Sequence, residues 1–342
     1  MSRLYTEITG SGPTLVLLHG WGLNVRVWDG LAAALRDRFR IIAIDLPGHG
    51  RSAWLPQRSS LEEQAAQVRE TVAEITGEYS LLGWSLGGQI ALQLVATQHA
   101  VAARSATAGS TAAPGTAAPG TTAPSTTVPG TVRRLVLIAT TPRLVAGPDW
   151  PHGAPLERLT AQAADLQTDY RRTVSDFLEL QVRGSASGAE TLQRLRATLF
   201  AHGDLAPAAV ARRAEIAAGA SAEAAAGTSA EIAAGSSAET IAGTSAATGS
   251  ERAGEPAFLA ALARGLELLR DTDLRPLLAN VTLPTLVIAG QYDRVTMPAA
   301  SHALADSLPN ARYVEIRRAA HAPFLSHLPE LSELISGFLL QP

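Results

Sequence analysis

The chain has 342 residues, of which 46% are apolar and 17% charged. That supports a sizeable buried core and excludes a disordered chain. The net charge is −3, from 28 basic residues (all arginine) and 31 acidic ones, so there is no basic field of the kind a nucleic-acid binder carries. Cysteine is absent, which removes disulfides, thiolate metal sites and cysteine nucleophiles from consideration. Met1 to Glu7 carry no apolar signal region. The longest apolar runs are strand-sized, far below the roughly 20 residues that cross a bilayer. The expectation is a cytoplasmic monomer with no metal, no other cofactor, and no nucleic-acid or membrane partner.

In chain order, strands are predicted at 14–18, 40–45, 79–83, 132–139, 284–289 and 311–316. Helices are predicted at 28–38, 61–76, 88–98, 298–307 and 329–339. The continuously apolar strands Leu135-Val136-Leu137-Ile138 and Leu286-Val287-Ile288 imply a sheet covered on both faces. The alternation implies an α/β architecture with a mostly parallel sheet flanked by helices. Between 143 and 278 no strand pattern appears. Short helices are predicted there at 156–172, 173–182, 189–200 and 258–269, a block that reads as a lid over the carboxyl edge of the sheet, where open α/β sheets bind ligands.

Two stretches do not read as core. Residues 104–131 are almost wholly Ser, Thr, Ala, Gly and Pro and lack the large apolar groups that offset ordering entropy. Residues 214–254 carry an eight-residue repeat beginning at Ala214, Ala222, Ala230 and Ala238. With a glycine in every unit it reads as a weakly helical or disordered loop insertion. The expected organisation is a core of 1–142 and 279–342 interrupted by 104–131, and a helical lid of 143–278 interrupted by 214–254.

Gly83-Trp84-Ser85-Leu86-Gly87 falls between a predicted strand and a predicted helix. In that context G-x-S-x-G marks a sharp turn that presents a nucleophilic serine. A serine hydroxyl needs a base, and the base needs an orienting carboxylate. Asp293 follows the strand at 284–289, and His321 follows the strand at 311–316, in the order Ser, acid, His that such a sheet requires. His302 and His327 lie on or near helices, and His99, His152 and His202 lie in loops or at helix ends, away from strand ends. His19-Gly20-Trp21-Gly22 follows the strand at 14–18, and the amides of Trp21 and Leu86 are the expected oxyanion donors. His19 reads as a loop brace, and Asp45 to Ser52 reads as a fixed structural turn.

Together these segments resemble the α/β-hydrolase superfamily. A closer likeness rests on the His19–Gly22 and Gly83–Gly88 phrases, Arg172-Thr173-Val174 with Phe177-Leu178-Glu179-Leu180-Gln181, Gly265-Leu266-Glu267-Leu268-Leu269, and Ala319-Ala320-His321-Ala322-Pro323-Phe324. These are similar to the pimeloyl-[acyl-carrier protein] methyl ester esterases of biotin synthesis. The resemblance implies the α/β-hydrolase fold with a helical lid inserted after the sixth strand. It implies a serine carboxylesterase acting through a Ser85–His321–Asp293 triad on an acyl-carrier-protein-linked ester, with substrate contacts from Trp21, Leu86, Phe177, Leu178, Glu179, Leu180 and Gln181. Arg172 matches a basic lid position used against the acidic carrier, whereas Asp176 stands where another basic residue is expected. Arg171, Arg183, Arg194, Arg196, Arg212 and Arg213 could supply a replacement patch or simply coat the lid. A short-chain carboxylesterase or lactonase independent of any carrier remains the alternative, and a non-catalytic receptor on the same scaffold is a third reading.

Overall fold

The computed structural model describes residues 3–109, 130–185, 187–200 and 251–341. Seven strands form one sheet: β1 (Thr6–Thr9), β2 (Thr14–Leu18), β3 (Arg40–Ile44), β4 (Glu78–Trp84), β5 (Thr131–Ile138), β6 (Thr285–Gly290) and β7 (Ala311–Ile316). Their order is β1-β3-β2-β4-β5-β6-β7, and only β1 runs antiparallel to its neighbour. The central strands are sealed on both faces, as their continuous apolar runs require. Leu15 to Leu18, Leu135 to Ile138 and Leu286 to Ile288 have essentially no exposed surface.

Between the strands lie α1 (Asp29–Leu35), α2 (Leu61–Ala73), α3 (Leu86–Gly109) and α8 (Pro298–Ser307), and α10 (Leu328–Leu339) follows the last strand. The chain goes from β2 to β3 on one side, then crosses back past β2 to β4. With right-handed crossovers this reversal puts α1 and α2 on opposite faces. In keeping with that, α1 packs with α10 and α2 packs with α3. It also opens a crevice at the carboxyl ends of β2 and β4, the place where such sheets bind ligands.

The helical block comprises α4 (Leu156–Thr168), α5 (Tyr170–Val182), α6 (Gly188–Phe200) and α7 (Glu251–Asp271), with the four-residue α9 (Pro323–Ser326) following β7. It follows the fifth strand, not the sixth. Only five strands precede it among the described residues, because the N-terminal stretch contributes a single short strand, β1, which pairs antiparallel with β3. The helix expected at 156–172 is broken at Asp169. That residue is extended (φ −151°), and its carboxylate accepts from the amide of Arg172, capping α5. Helix α3 continues to Gly109, past the expected end at 98 and into the stretch expected to lie outside the core. Residues 110–129 and 214–250 of the two low-complexity stretches lie outside the described residues, as do Arg212 and Arg213. No helix among the described residues is long and apolar enough to cross a membrane.

Candidate active site

Because β2, β4, β6 and β7 are mutually parallel, the segments that follow them emerge at one rim. The turn after β4 carries Ser85 with φ of +55°, a left-handed conformation that a side chain other than glycine rarely adopts. Its carbonyl accepts from the amides of Gly88 (3.0 Å) and Gln89 (3.2 Å), which starts α3 at once. The flanking glycines are needed for close approach. A Cβ on Gly83 would sit 2.5 Å from the carbonyl oxygen of Gly87, and one on Gly87 would collide with the carbonyl of Leu18. Strand, helix and the end of β2 therefore meet with no side chain between them. Gly20 packs against the same turn, with the Cβ of Ser85 3.4 Å from where its own Cβ would lie. The amides after β2 and the first amides of α3, which have no intrahelical carbonyl to reach, thus flank Ser85.

Asp293 and His321 meet at the same rim. His321 Nδ1 lies 2.8 Å from Asp293 Oδ2, and both side chains are fully buried. The other carboxylate oxygen accepts from the amides of Val295 (2.8 Å) and Thr296 (2.9 Å). With both oxygens engaged, Nδ1 is the donor and Nε2 is the bare nitrogen of the imidazole. Nε2 is buried and has no hydrogen-bond partner among the described residues.

Two contacts fix the backbone of His321. Its carbonyl accepts from Trp84 Nε1 (2.9 Å), and its amide donates to the carbonyl of Gln181 on α5 (2.9 Å). The Trp84 ring packs on the imidazole (centroids 5.5 Å apart) and on Phe324 (4.9 Å). The residue immediately before Ser85 therefore ties the serine turn to the histidine loop.

The remaining sequence candidates are placed as follows. Trp21 is buried, and its Nε1 donates to the carbonyl of Leu262 on α7 (2.8 Å). Its ring meets Phe177 edge-on at 5.1 Å. Leu86 begins α3 and is buried. Phe177 lines the cavity beside Ser85. Leu178 is buried, and Leu180 is partly buried against the core. Glu179 faces outward and pairs with Arg196 (2.6 Å). Arg172 is largely exposed beside Asp176 (3.7 Å), and Arg194 pairs with Glu190 (2.7 Å).

His19 braces the loop, as its position suggested. Its Nδ1 donates to the carbonyl of Gly20 (2.8 Å), and its Nε2 accepts from the amide of Leu46 (3.0 Å). Burial holds its pKa down to about 4, so the ring is neutral at pH 7 with both nitrogens occupied. His49 is likewise held down to about 4, chiefly by burial and then by His19 nearby. Asp45 fastens the turn by accepting from the amides of Val25 (2.7 Å) and Arg51 (2.8 Å).

A pH dependence follows. The two histidines bind protons near pH 6.5 when unfolded and near 4 when folded, so their contribution to stability is complete above pH 6.5 and is lost as pH falls toward 4. At pH 5 the loss is on the order of 2 kcal/mol per histidine. Asp45, pushed up by burial, works in the opposite sense and offsets part of it. The thermal midpoint is expected to drop by several degrees between pH 7.5 and 5; a flat or rising midpoint would show that these rings are not buried in the neutral form.

The cavity that holds Ser85 is roofed by α4, α5 and α7. Its free volume is about 20 Å³, roughly the room of one water molecule, so any larger ligand must part these helices to enter. Its walls are mostly apolar, with Leu144, Leu159, Phe177, Leu266 and Val295 among them. Sequence reasoning did not single out two polar residues of the roof, Arg158 and Gln162. They share one face of α4 with Leu159, a periodicity visible in the sequence once the helix start is known. No group of three or more His, Asp or Glu side chains suited to a metal ion occurs among the described residues.

A family model described as "alpha/beta hydrolase fold" matches residues 13–328. The chain belongs to the α/β-hydrolase family. A relative of this α/β hydrolase from Nitrosomonas europaea, named pimeloyl-[acyl-carrier protein] methyl ester esterase, is 32% identical over 95% of each chain. A relative from Xanthomonas oryzae pv. oryzae with the same name is 32% identical over 98% of each. Among solved structures, an esterase from Exiguobacterium antarcticum superposes with a TM-score of 0.68 at 18% identity, covering 99% of this chain and 96% of its own. An enol-lactonase from Burkholderia xenovorans superposes with a TM-score of 0.64 at 19% identity, covering 99% and 96%. At these identities the two solved structures speak for the fold alone.

Proposed function

We propose that this α/β hydrolase is a serine carboxylesterase that removes the methyl group from a pimeloyl methyl ester carried on acyl carrier protein. The observation that carries the reading is the buried His321–Asp293 pair at 2.8 Å, whose outer nitrogen has no partner among the described residues and whose loop is bonded to the Ser85 turn through Trp84. The two relatives 32% identical over nearly the whole chain supply the substrate.

In this reading His321 Nε2 takes the proton of Ser85 as Oγ attacks the ester carbonyl. The charge that develops on the carbonyl oxygen is held by the amides of Trp21 and Leu86. The C–O bond to the methoxy group then breaks, and methanol leaves with the proton from His321. Water, deprotonated by the same nitrogen, attacks the acyl-enzyme and releases the carboxylic acid together with Ser85. Asp293 remains ionised and stabilises the imidazolium. Phe177 and its apolar neighbours receive the acyl chain once α4, α5 and α7 separate.

Docking of the carrier falls to the outer surface of the helical block. Arg172 is its proposed contact, exchanging Asp176 for a carrier carboxylate, since exposed pairs of this kind hold weakly. That same pairing of exposed arginines within the block favours the second reading, an esterase or lactonase without a carrier. The test is methanol release from pimeloyl-carrier methyl ester against free dimethyl pimelate, whose far end is neutral as the carrier thioester is. The carrier-linked ester is expected to show at least about a tenfold higher kcat/KM, the gain of one additional weak contact. Equal efficiency would remove the carrier from the proposal and leave the esterase.

A further inference from the structure

Arg158 is a half-buried cation in the roof over Ser85. Its one hydrogen bond is to the carbonyl of Arg294 (2.8 Å), and it has no carboxylate within ion-pair reach among the described residues. The acid whose field it feels is Asp293, but both oxygens of that carboxylate are engaged, one by His321 and the other by two amides. The other charged neighbour, Arg183 at the end of α5, is a second cation without a carboxylate partner among the described residues, so the local charge is in positive excess. One turn along α4 from Arg158, the side-chain nitrogen of Gln162 is buried without a partner among the described residues, and Gln162 lines the same cavity.

A guanidinium with free donors next to an unsatisfied amide N–H is costly in an apolar pocket unless a ligand acceptor completes it. The acceptor that best matches a guanidinium is a carboxylate. An acyl chain with its ester carbonyl at Ser85 and its methylenes along Leu159 and Phe177 carries its far end along this roof.

We propose that Arg158 and Gln162 form a subsite for a carboxylate at the distal end of the acyl chain, which makes free half-esters of dicarboxylic acids a substrate class of this protein in addition to carrier-linked esters. The inference rests on the esterase reading above. Arg158 determines specificity here and takes no part in the bond changes. Neither Arg158 nor Gln162 belongs to the phrases that carry the family likeness.

The test is a ratio: kcat/KM for monomethyl pimelate over kcat/KM for methyl heptanoate, an ester of equal chain length with a neutral end. Because it is a ratio, it is insensitive to the fraction of enzyme that is folded. The parent protein is expected to favour the half-ester by about 10- to 100-fold, as one charge-assisted contact in a closed pocket supplies. Arg158→Leu is expected to bring the ratio close to one, mainly through KM for the half-ester. Arg158→Lys should keep part of the preference, and Gln162→Leu should lower it by a smaller factor. A parent ratio near one, or a ratio unchanged in Arg158→Leu, would overturn the subsite while leaving the esterase intact. Absence of turnover on both esters and on the carrier-linked one would overturn the esterase reading itself.

Discussion

Ser85→Ala is expected to lower ester turnover by roughly 10⁴- to 10⁶-fold, the range seen when the nucleophile of a comparable triad is removed. The fold should survive. The turn is held by backbone features that alanine preserves: the two amide bonds to the carbonyl of residue 85 and the close passage of Gly83 and Gly87. The left-handed backbone at residue 85 strains alanine no less than serine. A matching circular-dichroism melt together with loss of methanol release would separate a chemical role from a structural one. If the variant kept turnover within tenfold of the parent, another group would have to be the nucleophile.

Asp293→Asn is expected to cost about 10³- to 10⁴-fold in kcat. The aspartate accepts three hydrogen bonds, from His321 Nδ1, Val295 N and Thr296 N. An asparagine has one acceptor oxygen and one NH₂, so it can face the two amides or the imidazole, not both. If the oxygen keeps the loop, the NH₂ faces Nδ1 and drives the ring into the tautomer with the proton on Nε2, the wrong nitrogen for accepting one from Ser85. The residual activity should recover as pH rises and hydroxide replaces the general base, whereas the parent profile should plateau. A kcat within tenfold of the parent would mean that Asp293 only supports its loop.

The sheet was legible because its strands are buried on both faces, so Leu15 to Leu18 and Leu135 to Ile138 stand out as unbroken apolar runs. β1 was not, because it is an edge strand with one large apolar residue, Ile8, itself half exposed. The break at Asp169 depends on a cap rather than on periodicity, and an apolar pattern runs straight across it. The placement of Ser85, Asp293 and His321 at one rim could be read from the sequence because each sits one turn or loop beyond a strand, where order along the chain determines place in space. His19 could be assigned as a brace on the same grounds. Arg158 could not, because its proposed role rests on an absence: among the described residues no carboxylate reaches it, and only the packing of α4 over Ser85 reveals that. Gln181 entered through a family phrase as a substrate contact, and the structure places its carbonyl on the amide of His321. That tie makes α5 part of the support of the His321 loop.

The central claim is that Ser85 is activated by the His321–Asp293 pair. It is tested most directly by incubating the protein with a fluorophosphonate and mapping the adduct by peptide mass spectrometry. One adduct per chain is expected, on the peptide that contains Ser85, forming orders of magnitude more slowly in His321→Ala. An unlabelled Ser85 in a preparation that still hydrolyses methyl esters, or labelling undiminished in His321→Ala, would contradict it.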